Sequence, residues 1–307
     1  MNSRARILSP RGVRAPSGSS PARVSRARKP PETKVVPVDA EEEIVSGMLR
    51  GMRPIVDAFR GGDHLHVSDV IHKCLRQLAL VKRLDARPPG RRLRDSEVIT
   101  FRQGDAIHDF VRQRFVENHP ESAFGRWSCP CKKTITAPML HSQITGRHTC
   151  PHCGIVPYRY EEVPIPDEEY GIVGNPDFLM YLAKYAAYHV TEIKSINGDD
   201  FKELVRPIPD HIIQVLFYWK LMHKAGRPLT DKVSILYVNK AWSFKNPYRE
   251  FLVDVPGNIH RLDKYIEDAL IYKQSIADES APLPYRPCPK IDAPSAKDCA
   301  VRVSCFQ

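Results

Sequence analysis

The chain has 307 residues, of which 42% are hydrophobic, and its formal net charge at pH 7 is +10. This length suits one large domain or two small ones with a real core. No run approaches the ~20 apolar residues of a membrane-spanning helix, so we expect a soluble protein without a membrane partner. Residues 1–34 hold nine Lys and Arg against one acid, so the rest is nearly neutral and bulk charge does not establish DNA binding.

Residues 1–40 are rich in Arg, Ser and Pro and almost lack aromatic side chains. Such a segment cannot bury enough surface to offset the entropy of ordering, so we predict a disordered basic tail. The tail is either merely solvated or a loose electrostatic grip on phosphates. Because no apolar signal-peptide core is present, we expect a cytoplasmic location, with an organellar transit peptide as the alternative.

Helical patterns dominate the start of the remaining domain, residues 41–307. Apolar positions three and four apart predict helices over 41–60, 68–83 with Ser68 as N-cap, and 96–117. The chain is irregular over 125–160 and in its last 30 residues. Between these segments the apolar pattern predicts strands 171–182, 187–195, 232–240 and 249–255, and helices 210–224 and 257–276. This order is typical of an α/β core with helices on its faces.

The motif Gly174-x-x-Asp177 is followed after fourteen residues by Glu192-Ile193-Lys194. On adjacent strands, Asp177 and Glu192 would converge at one end of a sheet, and Glu192 and Lys194 would share one face. Two carboxylates and the Ile193 carbonyl offer hard oxygen ligands to Mg²⁺ or Mn²⁺. The Lys194 ammonium can orient an attacking water and offset charge on a phosphate. These parts together predict phosphodiester hydrolysis.

The alternative for Glu192 and Lys194 is an ordinary surface ion pair. Their neighbours Val190 and Ile193 are apolar, which indicates a largely buried strand. Charged side chains in a buried strand need a compensating purpose. The catalytic interpretation is therefore favoured.

Gly-x-x-Asp followed by Glu-x-Lys resembles the PD-(D/E)XK nuclease superfamily. Two further motifs, Gly104-x-x-x-His108 and Gln214-x-x-x-Tyr218, are similar to its RecB-like exonuclease branch, as found in CRISPR-adaptation-associated and phage exonucleases. The resemblance implies a restriction-endonuclease-like core, with a mixed central sheet flanked by helices. Gln214 and Tyr218 lie one helical turn apart, so both project from one face.

The resemblance also assigns roles at the catalytic site. It implies that His108, Asp177, Glu192 and the Ile193 carbonyl hold the metal. It implies that Lys194 assists the water, and that Gln214 and Tyr218 hold the DNA strand. The expected activity is metal-dependent exonucleolytic cleavage of single-stranded DNA in recombination, repair or phage DNA metabolism, in a prokaryotic or phage-infected cell.

Cys74 precedes these motifs, and Cys288, Cys299 and Cys305 follow them within the cysteine-rich segment 280–307. One early and three late cysteines resemble the iron–sulfur staple of RecB-like exonucleases, which implies a [4Fe–4S] cluster. The family pattern Cys-x₂-Cys-x₅-Cys is not complete here. Ala296 stands at the first position, and Cys288 would substitute through a longer loop. Zinc, or no metal, is the alternative.

The other four cysteines follow the pattern Cys129-x-Cys131-x₁₈-Cys150-x₂-Cys153. Two short knuckles bracketing about twenty residues resemble a zinc ribbon, in which four thiolates hold Zn²⁺ tetrahedrally. His141, His148 and His152 are possible substitute ligands, and disulfides are the less favoured alternative. The 125–160 segment is therefore predicted to be a zinc-ribbon insertion that either stiffens a loop or contacts DNA or a partner.

Two other functions compete with an exonuclease. One is a structure-specific endonuclease, which would cut a circular strand. The other is a non-catalytic zinc-ribbon DNA-binding or assembly subunit, which the complete set of catalytic residues argues against. The sequence has no phosphate-binding Gly-rich helicase motif, so strand separation would need a helicase or recombination partner.

Overall fold

A mixed sheet at the centre of the domain carries the predicted catalytic residues. The computed structural model describes residues 54–56, 64–86, 90–241 and 245–307, all within one compact unit, Leu49–Gln307. The predicted tail 1–40 and most of the predicted helix 41–60 lie outside the described residues. Where 41–60 is described, Ile55–Val56 is a strand, so the helix prediction is wrong there.

The secondary structure alternates between short strands and a few long helices. The strands are β1 (Ile55–Val56), β2 (Leu65–His66), β3 (Arg91–Arg92), β4 (Ala123–Ser128), β5 (Met139–Leu140), β6 (Arg159–Glu161), β7 (Ile165–Asp167), β8 (Ile172–Gly174), β9 (Phe178–Leu182), β10 (Ala187–Ile196), β11 (Lys232–Asn239) and β12 (Tyr248–Asp254). The α-helices are α1 (Val67–His72), α2 (Leu75–Arg83), α3 (Asp95–Asn118), α4 (Gly198–Glu203), α5 (Pro209–Lys224), α6 (Asp263–Ala277) and α7 (Arg302–Phe306).

The central sheet runs in the order β12-β11-β10-β9-β4-β5, and β6 pairs with β4 as a seventh strand. Strands β10 and β11 are parallel, with Glu192 opposite Ile235, whereas β9 and β10 are antiparallel, with Thr191 opposite Phe178. The predicted mixed central sheet is therefore confirmed. Strands β2, β8 and β7 form a separate three-stranded sheet.

Helices cover both faces of strand β10. Val190 belongs to the core that includes Val215, Leu216 and Phe217 of α5, whereas Ile193 belongs to the core beside α3. Side chains at odd and even positions of a strand point to opposite faces, so α5 and α3 pack on opposite sides. Polar side chains also occupy this covered strand, and His189, Thr191 and Glu192 are among the buried polar residues.

Two helix predictions need correction. The predicted helix 68–83 is two helices, because Lys73 and Cys74 adopt extended backbone between α1 and α2. The N-cap of the first of these helices, α1, is His66 rather than the predicted Ser68. The predicted helix 257–276 begins as a 3₁₀ turn, Ile259–Leu262, before α6. Local periodicity does not register such breaks, because tertiary packing decides them.

The segment 125–160 is less irregular than its composition predicts. Strands β4 and β6 join its two ends to each other, with Ser128 opposite Arg159, and β4 pairs with β9 of the central sheet. The segment therefore leaves and returns through the sheet that carries the predicted catalytic site. Among the described helices, none combines the length and apolarity needed to cross a bilayer.

Candidate functional site

Asp177 and Glu192 come together because one immediately precedes β9 and the other lies on the neighbouring strand β10. Asp177 immediately precedes β9, and its Oδ2 accepts the backbone N–H of Ile193 on β10 at 2.8 Å. Asp177 and Glu192 are only 8% and 2% exposed. The carboxylates predicted from spacing therefore lie side by side in the interior of the fold.

A chain of hydrogen bonds leads from Glu192 into helix α5. The Lys194 ammonium lies 2.6 Å from Glu192 Oε1 and donates to Gln214 Oε1 at 2.8 Å. The Gln214 amide in turn donates to the Tyr218 hydroxyl at 2.7 Å. Each of the two predicted pairs shares a face, as expected. The hydrogen bond from Lys194 to Gln214 joins the two pairs into one network.

A second network connects Asp177 to helix α3. His108 Nδ1 lies 3.3 Å from Asp177 Oδ1, and Arg112 Nη2 lies 3.5 Å from the same oxygen. Arg112 also pairs with Glu162 Oε1 at 3.1 Å. Asp177 is therefore flanked by a histidine and an arginine from successive turns of one helix.

Of the two motif glycines, Gly174 permits close packing around the site, whereas Gly104 has room for a Cβ. A Cβ at Gly174 would lie 2.8 Å from Leu221 Cδ1 and 2.9 Å from Tyr218 Cδ1, below normal contact distances. A Cβ at Gly104 would lie 3.4 Å from Ser195 Oγ, where α3 passes β10. Gly174 therefore lets the strand before Asp177 approach the helix that carries Tyr218.

Burial and neighbouring charges separate the acidities of the carboxylates. Burial, followed by the charge of Asp177, raises the pKa of Glu192 well above its usual value. Burial opposes ionisation of Asp177, but the hydrogen bond and charge of His108, with Arg112 and Lys194, hold its pKa below the usual value. Burial raises the pKa of Glu162 to about 7. Divergent acidities in one buried cluster are typical of functional sites.

The donor set suits a hard divalent cation. Glu192 Oε2 is buried and has no hydrogen-bond partner among the described residues, which is costly without a compensating ligand. His108 Nδ1 lies 3.3 Å from Asp177 Oδ1, so an imidazole nitrogen adjoins the carboxylate oxygens of this donor set.

The sulfurs of Cys129, Cys131, Cys150 and Cys153 all lie within 4.8 Å of one another. Cys131 Sγ is 3.1 Å from Cys129 Sγ and 3.7 Å from Cys150 Sγ. A tetrahedron with metal–sulfur bonds of ~2.3 Å has sulfur–sulfur edges of about 3.8 Å. The four-cysteine group therefore has the dimensions of a site for a single metal ion.

The surroundings of Cys150 favour its thiolate form. The Thr134 hydroxyl donates to Cys150 Sγ at 3.1 Å and, with neighbouring backbone amides, lowers the pKa of that thiol to about 5. His141 packs against the Trp127 ring, and His148 accepts the backbone N–H of Thr145. The predicted substitute histidines are not part of the cluster.

Cys74, Cys288, Cys299 and Cys305 line one small cavity of 40 Å³. Ala296, where the family pattern has a cysteine, lines the same cavity. Cys305 is buried, whereas the other three cysteines are half-buried. Cys305 also packs with Leu80 and Val81 of α2. The C-terminal segment therefore returns to an early helix, as a staple requires.

Arg112 and Glu162 are site residues that the sequence interpretation missed. Arg112 had a detectable signal, because it lies four residues after His108 on a predicted helix and so shares its face. Glu162 had none, because only the return of the chain through β6 brings it to Arg112.

Comparison with known proteins identifies no family for this chain. No protein-family model matches it, and no curated protein matches it. Among solved structures it is similar to an alkaline exonuclease, LHK-Exo, from Laribacter hongkongensis, with 13% identity and a TM-score of 0.39 over 69% of this chain and 89% of that chain. For LHK-Exo in complex with dAMP the identity and coverages are the same and the TM-score is 0.40. Because the identity and the TM-scores are this low, the functional assignment depends on the site residues of this chain rather than on the similarity.

Proposed function

We propose that this protein is a metal-dependent deoxyribonuclease of the RecB-like kind, with Asp177, Glu192 and Lys194 at its catalytic centre. The observation that carries the proposal is the buried pair of carboxylates, in which Glu192 Oε2 has no partner among the described residues. A buried carboxylate with a raised pKa and a free oxygen is stabilised by a cation. Mg²⁺ and Mn²⁺ are the ions that such an oxygen set prefers.

His108, Asp177, Glu192 and the carbonyl of Ile193 are the groups that would hold the ion. When bound, a divalent ion supplies Lewis acidity for phosphodiester hydrolysis. The ammonium of Lys194, beside Glu192, offsets the negative charge that grows on the phosphate in the transition state. Gln214 fixes the position of Lys194, and Tyr218 fixes Gln214, so a rigid network holds the ammonium in place.

The motif resemblance favours single-stranded DNA cut from an end. The experiment is cleavage of labelled linear single-stranded DNA with Mg²⁺ or Mn²⁺, beside an EDTA control and Glu192→Ala. Glu279→Ala is the matched control, since Glu279 is exposed and lies outside the site. The proposal is supported if the wild type and Glu279→Ala cleave the DNA with metal, while Glu192→Ala does not cleave it and EDTA abolishes cleavage by the wild type.

Two further outcomes of this assay discriminate between the alternatives. The product ladder on a linear strand gives the polarity of an exonuclease, whereas cleavage of circular single-stranded DNA identifies an endonuclease. A wild type that binds DNA but never cuts, with either metal and on every substrate form, refutes the catalytic assignment and favours a binding subunit.

The two cysteine groups differ in the metal that they fit. We assign Zn²⁺ to the four-cysteine group, because its sulfurs have the spacing of one tetrahedral ion. We assign a [4Fe–4S] cluster to Cys74, Cys288, Cys299 and Cys305, because they line one cavity and four thiolates are the usual ligands of such a cluster. Metal analysis of anaerobically purified protein tests both assignments.

A further inference from the structure

A charged cavity of 240 Å³ lies beside the candidate active site, between α3 and the four-cysteine group. Its lining includes three cations, Arg112, Lys132 and Arg159, and two acids, Asp109 and Glu161. The volume is below the ~300 Å³ at which pockets for small organic ligands begin. Its size suits a small polar group, and its cations outnumber its acids by one.

Arg112 connects this cavity to the catalytic carboxylates. Its Nη2 lies 3.1 Å from Glu162 Oε1 and 3.5 Å from Asp177 Oδ1, and its guanidinium lies 5.7 Å from the centre of the Tyr160 ring. The same side chain therefore lines the cavity and touches Asp177. An anion in the cavity would be a close neighbour of the group that reacts at the carboxylates.

Lys132 and Arg159 are the cations that are free to bind this anion. Both are exposed, and neither forms an ion pair in the part of the chain that the structure describes. Arg112 is already engaged by acids, and Glu161 accepts the Ser128 hydroxyl at 2.6 Å. The available positive charge in the cavity therefore comes from the two exposed cations.

The four-cysteine group fixes the backbone that presents these cations. Lys132 follows Cys131 and has a φ of +56°, a left-handed conformation that is unfavourable for a residue with a Cβ. Its N–H donates to the Cys129 carbonyl at 2.9 Å. Arg159 pairs in register with Ser128, the residue before Cys129. Lys132 is thus next to a cluster cysteine along the chain, and Arg159 is opposite the residue that precedes one.

We propose that this cavity binds a phosphate of the DNA strand, next to the phosphate that is cut. The four-cysteine group then has a role beyond stiffening a loop, because it holds Lys132 and Arg159 against the DNA backbone. The inference rests on the proposed function for the identity of the ligand, but it is tested by binding rather than by cleavage.

The experiment measures the dissociation constant of labelled single-stranded DNA by fluorescence anisotropy at several NaCl concentrations, without added Mg²⁺ or Mn²⁺. Lys132→Ala and Arg159→Ala are compared alone and together. We expect the double variant to bind about tenfold more weakly at 0.1 M salt, with a salt slope shallower by about 0.7 for one lost phosphate contact. Lys184→Ala is the control, since Lys184 is exposed in the turn at the far end of β9 and β10.

Lys132→Gly separates a binding role from a structural one. Glycine relieves the left-handed backbone, so this variant should be as thermostable as the wild type or more so. It should nevertheless bind DNA as weakly as Lys132→Ala, whereas Lys132→Arg should bind as well as the wild type. Wild-type binding by Lys132→Gly would overturn the proposal.

Three substrates identify the source of the phosphate. Equal losses on 5′-phosphorylated, 5′-hydroxyl and circular single strands assign the site to an internal phosphate. A loss confined to the 5′-phosphorylated strand assigns the site to the strand end. Unchanged affinity and salt slope in the double variant overturn the inference, whether or not the wild type cuts.

Failure of the inference is distinguishable from failure of the proposed function. A wild type that never cuts, in which the two substitutions still weaken binding, refutes the nuclease assignment alone. A wild type that does not bind single-stranded DNA refutes both.

Discussion

Replacing Glu192 by glutamine should stabilise the fold and abolish catalysis together. Glu192 is 2% exposed, and burial raises the pKa of its carboxyl well above the usual value. For an acid with a raised folded-state pKa, stability is complete below the unfolded-state pKa, about 4.3, and falls as the pH rises toward the folded-state pKa. Glutamine has the same shape and no charge to bury. The stability of Glu192→Gln relative to the wild type should therefore increase as the pH rises from about 4.3 toward the folded-state pKa.

The expected magnitude follows from two opposing contributions. Each pH unit by which a folded-state pKa is raised corresponds to about 1.4 kcal/mol of lost stability at neutral pH. The pKa of Glu192 is raised even though Lys194, 2.6 Å from its Oε1, opposes the raise. We therefore expect Glu192→Gln to be more stable than the wild type at pH 7, and each 1 kcal/mol of gain would raise the unfolding midpoint by roughly 2–4 °C for a domain of this size.

Thermal unfolding of wild type and Glu192→Gln, from pH 4 to pH 8 and with and without Mg²⁺, measures both effects. The wild type should be stabilised by Mg²⁺, by about 2.7 kcal/mol at one hundred times its dissociation constant. The variant should show neither this increment nor cleavage. A loss of more than about 2 kcal/mol in Glu192→Gln, or retention of the Mg²⁺ increment, would refute the reasoning.

Three further predictions follow from other contacts of the site. Tyr218→Phe should cost about 1–3 kcal/mol, because Gln214 loses a buried hydrogen-bond partner, and cleavage should fall while DNA binding is largely kept; denaturant unfolding and single-turnover assays check this. The wild type should lose stability relative to Glu162→Gln as the pH rises from about 4 to 7, because the pKa of Glu162 is raised to about 7; equal pH profiles would contradict this. Cys305→Ser should remove the visible absorbance of anaerobically purified protein, whereas Cys153→Ser should leave it, and spectra of the two variants decide the matter.

The local geometry of the candidate site is the part that the sequence predicts well. Side chains two apart on a strand share a face, so Glu192 and Lys194 could be paired without a structure. Side chains one turn apart on a helix do so as well, which placed Gln214 beside Tyr218. These relations depend only on local geometry, and the observed hydrogen bonds agree with them.

Contacts between segments that are distant along the chain could not be predicted from the sequence. The pairing of Arg112 with Glu162 depends on β6 returning beside β4, and no local pattern encodes that path. The break between α1 and α2 at Cys74 has the same origin, because that residue faces the C-terminal cysteines. In both cases long-range packing overrides the local preference that periodicity reports.

The sequence by itself determined the residue types, the local spacing of each motif and the order of the core elements, because these follow from helix and strand periodicity and from side-chain chemistry. Tertiary structure alone decided which carboxylates are buried beside which cations, and so which of them resist ionisation. Only the folded chain brings Asp177 against His108 and Arg112 and sets Lys132 and Arg159 beside them. Electrostatic coupling depends on distance and burial, and neither is a property of the linear sequence.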